Sequence, residues 1–143
     1  MRTALDTSVI VAAMMSWHAH HGRAGPAVAA ARSLRPRLVI PVPALMEAYS
    51  VMTRLPRGYR MDPQAANQVL HDAFANSADL IALDGDEAWS LVTSAADGGF
   101  AGGIIHDADI LRCAEKAGAK RLLTLNPKDF LRFGSTAVAI VEP

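Results

Sequence analysis

Four acidic side chains lie at junctions where a predicted strand ends or a predicted helix begins. They are Asp6, Glu47, Asp107 and Asp129. Most of their neighbours are apolar, and a carboxylate at the edge of an apolar element is costly unless a partner satisfies it. Four carboxylates around one pocket would form a hard oxygen site suited to Mg²⁺, with Mn²⁺ as a substitute. A cation in such a site can activate water and polarise a phosphoryl oxygen, which is the chemistry of phosphodiester hydrolysis.

Each of these carboxylates also has an ordinary structural explanation. Asp6 could cap the helix that follows it, and Asp107 could simply favour a helix N-terminus. Glu47 could be a solvated helix residue, and Asp129 a turn residue in the segment NPKD. Taken singly, these explanations are the more common use of such residues. Taken together, they leave the shared placement of the four carboxylates unexplained.

Short apolar strands that alternate with helices must position these residues. The alternation predicts a central, mainly parallel sheet with helices on both faces. In such a sheet the ligand lies beyond the carboxyl ends of the strands, so we expect the four carboxylates to gather at one edge. The predicted strands are residues 2–6, 37–41, 79–83 and 121–125, with a short fifth strand within 137–143. The predicted helices are residues 8–16, 25–34, 43–55, 63–77, 84–98 and 104–118.

Capping residues and prolines set the expected ends of these helices. Thr7 or Ser8 is the expected N-cap of the first helix. Pro26 is expected in the first turn of the second helix. Gly118 is typical of the end of the last. Residues 17–22 are interpreted as a histidine-rich loop, 56–62 as a basic loop and 126–129 as a turn.

Composition limits the class of protein. The 143 residues, 51% of them hydrophobic, suit one compact domain over residues 1–143. Lys and Arg number 14, as do Asp and Glu, so the formal net charge is zero. This balance excludes a strongly basic nucleic-acid footprint but leaves a local basic patch open. Cys113 is the only cysteine, which excludes an intrachain disulfide. Asp6 interrupts the apolar start of the chain and no apolar run could span a bilayer, so we expect a cytoplasmic protein without membrane contact.

Four segments carry a resemblance to a known family. They are LDTSVIVAA, PALMEAYSVMTRL, IHDADILRCAEKAGAKRLLTLNPKDF and AVAIVEP, and together they span almost the whole chain. With these segments the sequence resembles the PIN-domain family and looks most like the VapC toxins of VapBC toxin–antitoxin pairs. The resemblance implies a three-layer α/β sandwich. It also implies a Mg²⁺-dependent endoribonuclease that is usually a homodimer and is inhibited by a cognate VapB-like antitoxin.

The resemblance also implies roles at the predicted site. It assigns catalytic, metal-binding roles to Asp6, Glu47, Asp107 and Asp129. Asn126 matches a position that is Asn or Asp in similar proteins and would contact water near the metal.

Hydroxyl groups near the carboxylates could support the site. Thr124, together with Thr7 or Ser8, could hydrogen-bond a carboxylate or water beside the metal. Strand-end and helix-capping roles explain these three hydroxyl residues equally well.

Basic and aromatic residues could contact the RNA. Arg54, Arg57 and Arg60 lie in and before the basic loop with Tyr59, where they could contact the RNA backbone and stack a base. His106, next to one of the carboxylates, could contact a substrate phosphate. A solvated loop and a helix-start hydrogen bond are the alternatives for these residues.

Some features do not fit this set. His18, His20 and His21 could suit a transition metal, but no second His or Cys cluster completes a ligand set. His21 could instead start the next helix. Asp109, two positions after Asp107, should lie on another helix face and be exposed.

Two rival functions stay open at this stage. A haloacid-dehalogenase-like phosphatase also uses an Asp after its first strand, but it needs a carboxylate two residues later, where this chain has Ser8. A catalytically idle PIN-like subunit that binds RNA or protein is the other rival.

Overall fold

The computed structural model describes all residues from Met1 to Pro143 and contains one central sheet of five strands. Every pair of neighbouring strands is parallel, and their spatial order is β3-β2-β1-β4-β5. The predicted parallel sheet and its fifth strand are therefore confirmed. The strands are β1 (Thr3–Leu5), β2 (Leu38–Pro41), β3 (Ala78–Ile81), β4 (Arg121–Leu123) and β5 (Ala139–Val141).

Seven helices connect and cover the strands. They are α1 (Thr7–Met14), α2 (His21–Ser33), α3 (Val42–Arg54), α4 (Pro63–Phe74), α5 (Gly85–Asp97), α6 (Ile104–Lys116) and α7 (Pro127–Leu131). None of them is long and apolar enough to cross a membrane.

Two predictions about these helices are wrong. The NPKD segment is not only a turn, because the short helix α7 begins at Pro127. Helix α2 begins at His21, so Pro26 lies inside the helix rather than in its first turn. An internal proline removes one backbone hydrogen bond. Here Pro26 is exposed, as is Gly22 one turn earlier, so water can bind the carbonyl oxygen that loses its partner.

The central strands are buried on both faces. Every residue of β1 and β2 is buried, and because successive side chains point to opposite faces, both faces must be covered. The edge strands β3 and β5 are partly exposed. One continuous core of 30 buried residues joins the sheet to its helices. The predicted three-layer sandwich is confirmed.

The chain order places a crevice at the centre of the sheet. From β1 the chain runs outward to β2 and β3, and it later returns to β4 on the other side of β1. Strands β1 and β4 therefore flank the point where the strand order reverses, which is where open α/β sheets bind ligands. Leu5 pairs with Leu123 at the ends of these two strands. The next residues along the chain, Asp6 and Thr124, consequently lie side by side.

Candidate active site

Asp6 is a buried carboxylate at the carboxyl end of β1, with only 5% of its surface exposed. It is also the N-cap residue of α1, so the expected N-caps Thr7 and Ser8 lie inside the helix instead. Its Oδ1 accepts a hydrogen bond from the Thr7 backbone N–H at 2.7 Å. Its Oδ2 accepts hydrogen bonds from the Ser8 hydroxyl at 2.8 Å and the Thr124 hydroxyl at 2.7 Å.

Both hydroxyl groups are oriented by backbone donors. The Leu125 N–H donates to Ser8 Oγ, and the Asn126 N–H donates to Thr124 Oγ1, each at 3.0 Å. Each hydroxyl has one hydrogen, and these bonds direct that hydrogen towards Asp6. The network connects the start of α1 to the loop after β4.

The hydrogen bonds of Asp6 oppose the cost of its burial. Burial raises the pKa of Asp6, whereas the bonds from Thr124, Ser8 and Thr7 lower it, and the Glu47 carboxylate raises it further. The pKa of Asp6 is raised overall, because burial outweighs these hydrogen bonds, which themselves favour the charged form.

The other three carboxylates come from three different helices. Glu47 lies in α3, and its Oε2 accepts a hydrogen bond from the Thr7 hydroxyl at 3.3 Å. Asp107 lies in the first turn of α6, and Asp129 lies in the first turn of α7. All four carboxylates line one open cleft of about 1090 Å³. The structure thus brings together the four residues that the sequence singled out.

The carboxylates act on one another electrostatically. The pKa of Asp107 is raised to about 6 by burial first, then by the negative charges of Asp6 and Asp129 and, more weakly, Glu47. The Arg132 guanidinium lowers it, because Arg132 Nη2 forms an ion pair with Asp107 Oδ2 at 2.9 Å. This mutual repulsion is the cost that a bound cation would relieve.

The donor chemistry of the cleft suits a divalent cation, but the ligands do not form a closed shell. No group of three or more His, Cys, Asp or Glu side chains in the structure is arranged to hold a metal ion. Asp6 already accepts three hydrogen bonds. Arg132 occupies one oxygen of Asp107. The Oδ1 of Asp107 has no side-chain partner, so Asp107 could bind a cation while its Oδ2 stays paired with Arg132.

The residues predicted to contact RNA separate into two groups. Arg54 and His106 line the cleft, whereas Arg57, Tyr59 and Arg60 do not. The basic loop instead packs against the segment after α1, where Trp17 Nε1 donates to the Tyr59 carbonyl at 3.2 Å. The two aromatic rings meet edge to face with their centroids 5.3 Å apart.

The residues with predicted supporting roles lie at the cleft. Thr7 and Asn126 line it beside the carboxylates. Thr124 is fully buried beneath it and reaches Asp6 through its hydroxyl. Asn126 contributes a backbone N–H to Thr124, and its exposed side chain lies at the cleft wall.

The histidine segment divides between the cleft and the fold. His18 and His20 line the cleft, while His21 contacts the Ala12 carbonyl through Nδ1 at 2.9 Å and begins α2. Burial lowers the pKa of His18, and the nearby His20 and His21 lower it further. The segment WHAHHG lies beyond the last turn of α1, whereas the first turn of α1 is at the cleft, so no local sequence signal places His18 and His20 there.

Two further residues differ from what the sequence suggested. Asp109 was expected to be exposed but is half-buried, and it lines a separate pocket rather than the carboxylate cleft. Arg132 has no motif that identifies it, because its contact with Asp107 spans 25 positions between α6 and the residue after α7.

Comparisons with known proteins agree with this architecture. The PIN domain family matches residues 3–135 of the chain. The chain is 37% identical over 117 residues to Ribonuclease VapC40 of Mycobacterium tuberculosis, in strains CDC 1551 / Oshkosh and ATCC 25618 / H37Rv. This match covers 82% of the chain and 81% of VapC40.

Solved structures share the fold over the full length. Mycobacterium tuberculosis VapC20, a Sarcin-Ricin loop cleaving toxin, superposes with a TM-score of 0.74 at 19% identity and 99% coverage of both chains. VapBC2 from Rickettsia felis, bound to a DNA fragment from its promoter, gives a TM-score of 0.66 at 18% identity, with 100% and 99% coverage. VapBC-1 from nontypeable Haemophilus influenzae gives 0.65 at 18% identity, with 99% and 98% coverage. At these identities the likeness establishes the shared fold alone.

Proposed function

The chain belongs to the PIN domain family, and from that premise we propose that it is a Mg²⁺-dependent endoribonuclease and the toxin of a type II toxin–antitoxin pair. The observation that carries the proposal is the convergence of Asp6, Glu47, Asp107 and Asp129 on one cleft at the centre of the sheet. The identity to Ribonuclease VapC40 over most of both chains supports RNA as the substrate.

The four carboxylates have graded roles in this proposal. Asp6 and Asp107 would hold the cation, and Glu47 and Asp129 would support it from the same cleft. Mg²⁺, or Mn²⁺ in its place, would supply an activated water and neutralise charge on the phosphoryl oxygens.

The protein's own side chains prepare the site. Ser8 and Thr124 favour the charged form of Asp6 through their hydrogen bonds and fix the direction of its Oδ2. Arg132 balances the charge of Asp107 through its ion pair with Oδ2. Arg54 and His106, which line the same cleft, contact phosphates of the RNA. Arg57, Tyr59 and Arg60 form a more distant contact with the RNA chain.

The same proposal includes protein partners. Solved structures with this fold include the VapBC complexes of Rickettsia felis and Haemophilus influenzae. These complexes support a cognate VapB-like antitoxin as the restraint on this chain. The resemblance to VapC toxins is the reason to propose a homodimer as the active form.

RNA cleavage tests the nuclease proposal directly. Purified protein with Mg²⁺ or Mn²⁺ and end-labelled RNA should give defined fragments, and a chelator should stop the reaction. Asp6→Asn should lower the rate by at least about 100-fold, because it replaces a carboxylate that is proposed to hold the metal with a neutral amide. Asp97→Asn removes one charge from the exposed end of α5 and should cleave like the wild type. Equal cleavage by wild type and Asp6→Asn would show that this carboxylate cleft is not the active site.

Calorimetry tests the metal site without any reaction. Titration of the wild type with Mg²⁺ should release or absorb more heat than titration of Asp107→Asn. Identical heats for the two proteins would remove the basis for the metal site, whatever the RNA result.

Growth tests the toxin role separately. Expression of the wild type should arrest growth, expression of Asp6→Asn should not, and co-expression of an antitoxin encoded just upstream should restore it. A harmless wild type that still cleaves RNA would leave the nuclease proposal in place and contradict the toxin role.

The two rival functions predict other outcomes. A catalytically idle PIN-like subunit would bind RNA without cleaving it. A haloacid-dehalogenase-like phosphatase needs a second carboxylate two residues after its nucleophile, but here Ser8 donates its hydroxyl hydrogen to Asp6. Ser8 therefore serves the first carboxylate instead of acting as an acid–base group.

A further inference from the structure

A second pocket opens beside the carboxylate cleft. It has a volume of about 400 Å³, within the range of small-molecule sites. Pro43 at the start of α3 and His106 in α6 line both this pocket and the cleft. The cleft and the pocket therefore share a wall. A polymeric ligand that crosses the carboxylates can place its next monomer in the pocket.

Most of the pocket surface is apolar. Its walls come from the start of α3, the loop after β3, and α5, with Val42, Leu83, Leu91 and Val92 among them. Val92 is 47% exposed, so part of this apolar surface is accessible to a ligand. Apolar walls suit a flat aromatic ring better than a phosphate or a ribose.

Asp109 is the one carboxylate in this pocket. It lies two residues after Asp107, so the two side chains point to different sides of α6. His106 is one turn before Asp109 and therefore lies on the same side of the helix. The pocket and the cleft thus meet along one edge of α6.

Asp109 retains most of its capacity to accept hydrogen bonds. The one side-chain donor that contacts it is the Cys113 thiol, with 3.6 Å between Sγ and Oδ1. Burial raises the pKa of Cys113 to about 12, and the charge of Asp109 raises it as well, so Cys113 stays a weak thiol donor. A carboxylate has about four acceptor positions. Asp109 can therefore accept strong hydrogen bonds from a ligand.

We propose that this pocket binds an unpaired RNA base next to the scissile phosphodiester, and that Asp109 accepts a hydrogen bond from the exocyclic amino group of that base. Proteins read single-stranded RNA by packing unstacked bases against side chains and hydrogen-bonding the base edges. Carboxylates accept hydrogen bonds from base amino groups, as with N4 of cytosine. Adenine, cytosine and guanine carry an amino group, and uracil does not. The inference deepens the proposed function, because it gives the nuclease a preference for one class of base.

Nucleotide binding tests the pocket without metal or cleavage. The ¹⁵N-labelled protein is titrated with AMP, CMP, GMP, UMP and IMP, and amide signals from residues 88–92 and 105–113 are followed by NMR. UMP carries a carbonyl oxygen in place of the amino group of CMP. IMP carries a carbonyl oxygen in place of the amino group of AMP, and it differs from GMP only in lacking the amino group. At least one amino-bearing nucleotide should bind about tenfold more tightly than its counterpart, which is the typical worth of a hydrogen bond to a charged group.

Two variants separate the role of Asp109 from general charge effects. Asp109→Asn keeps an acceptor for Cys113 but loses the charge and can turn its own amide donor to the ligand, so the discrimination should fall below about threefold. Asp97→Asn removes the same charge outside the pocket and should keep the full discrimination.

Three results would overturn the inference. The first would be that no nucleotide shifts the pocket signals, and the second that the discrimination survives in Asp109→Asn. The third would be that the pocket signals shift with protein concentration alone, which would assign the pocket to contact between two copies of the chain. RNA cleavage without base preference, unchanged in Asp109→Asn, would sink the base pocket and leave the nuclease intact. Selective nucleotide binding by a protein that does not cleave RNA would contradict the nuclease proposal and leave the nucleotide pocket in place.

Discussion

Thr124→Val should destabilise the protein by about 2 kcal/mol, because it removes a hydrogen bond to a buried charge. Thr124 is fully buried, and its hydroxyl donates to Asp6 Oδ2 at 2.7 Å while accepting from the Asn126 N–H. Hydrogen bonds to charged groups contribute about 1.5–3 kcal/mol to stability. Valine has the same shape, so the change leaves no cavity. For a chain of this size the melting temperature should fall by about 4–8 °C.

Thr136 offers a matched control with the same pattern of hydrogen bonds. Its hydroxyl donates to Glu115 Oε1 at 3.2 Å and accepts from the Val138 N–H two residues later. The difference is burial, because Glu115 is exposed. Exposed pairs of this kind contribute less than about 1 kcal/mol, so Thr136→Val should cost well under half as much as Thr124→Val.

Urea unfolding of both variants at neutral pH provides the comparison. A coupling measurement adds the mechanism, because Asp6→Asn should reduce the cost of Thr124→Val by about 1 kcal/mol if the charge is what the hydroxyl stabilises. Equal losses for Thr124→Val and Thr136→Val would refute the claim that a buried, charged Asp6 is held by these hydroxyls. A cost of Thr124→Val that does not change in Asp6→Asn would refute the assignment to charge.

Two further predictions concern pH and backbone geometry. The pKa of Asp107 in the folded protein is about 6, above its ordinary value of 3.8. Between these pH values the folded state binds more protons than the unfolded state. The free energy of unfolding without added metal should therefore fall as pH rises from about 4 to about 6. Asp107→Asn should flatten this slope in urea unfolding at several pH values, and an unchanged slope would contradict the raised pKa. Gly118→Ala should destabilise the protein by about 1 kcal/mol, because Gly118, just past the end of α6, has φ at +70°. Gly22→Ala should stabilise the protein by about 0.5 kcal/mol, because Gly22 lies inside α2 with open space around it. Thermal melts check both glycine variants, and equal effects would remove the conformational argument.

The sequence predicted the sheet well because its evidence is local. Each central strand is a short apolar run, and each run alternates with a helix, a pattern typical of a parallel sheet covered on both faces. Gly118 follows Ala117, the C-cap of α6, and its positive φ agrees with the expected role of a glycine at the end of this helix. The failures are also physical. Helix α7 is only five residues long, too short for a helical period of apolar residues to show. Pro26 suggested a helix start, but α2 begins at His21, because water can bind the exposed carbonyl oxygen that an internal proline leaves without a partner.

The candidate site divides in the same way. The sequence by itself determined the four carboxylates and the sheet edge on which they lie, because residue types and the order of elements are local properties of the chain. Only the tertiary structure decided that Thr124 donates to Asp6, 118 positions away, that Arg132 pairs with Asp107, and that Asp109 faces a separate pocket. These contacts depend on distances of a few ångströms between elements far apart in sequence, and such distances follow from the packing of the whole chain.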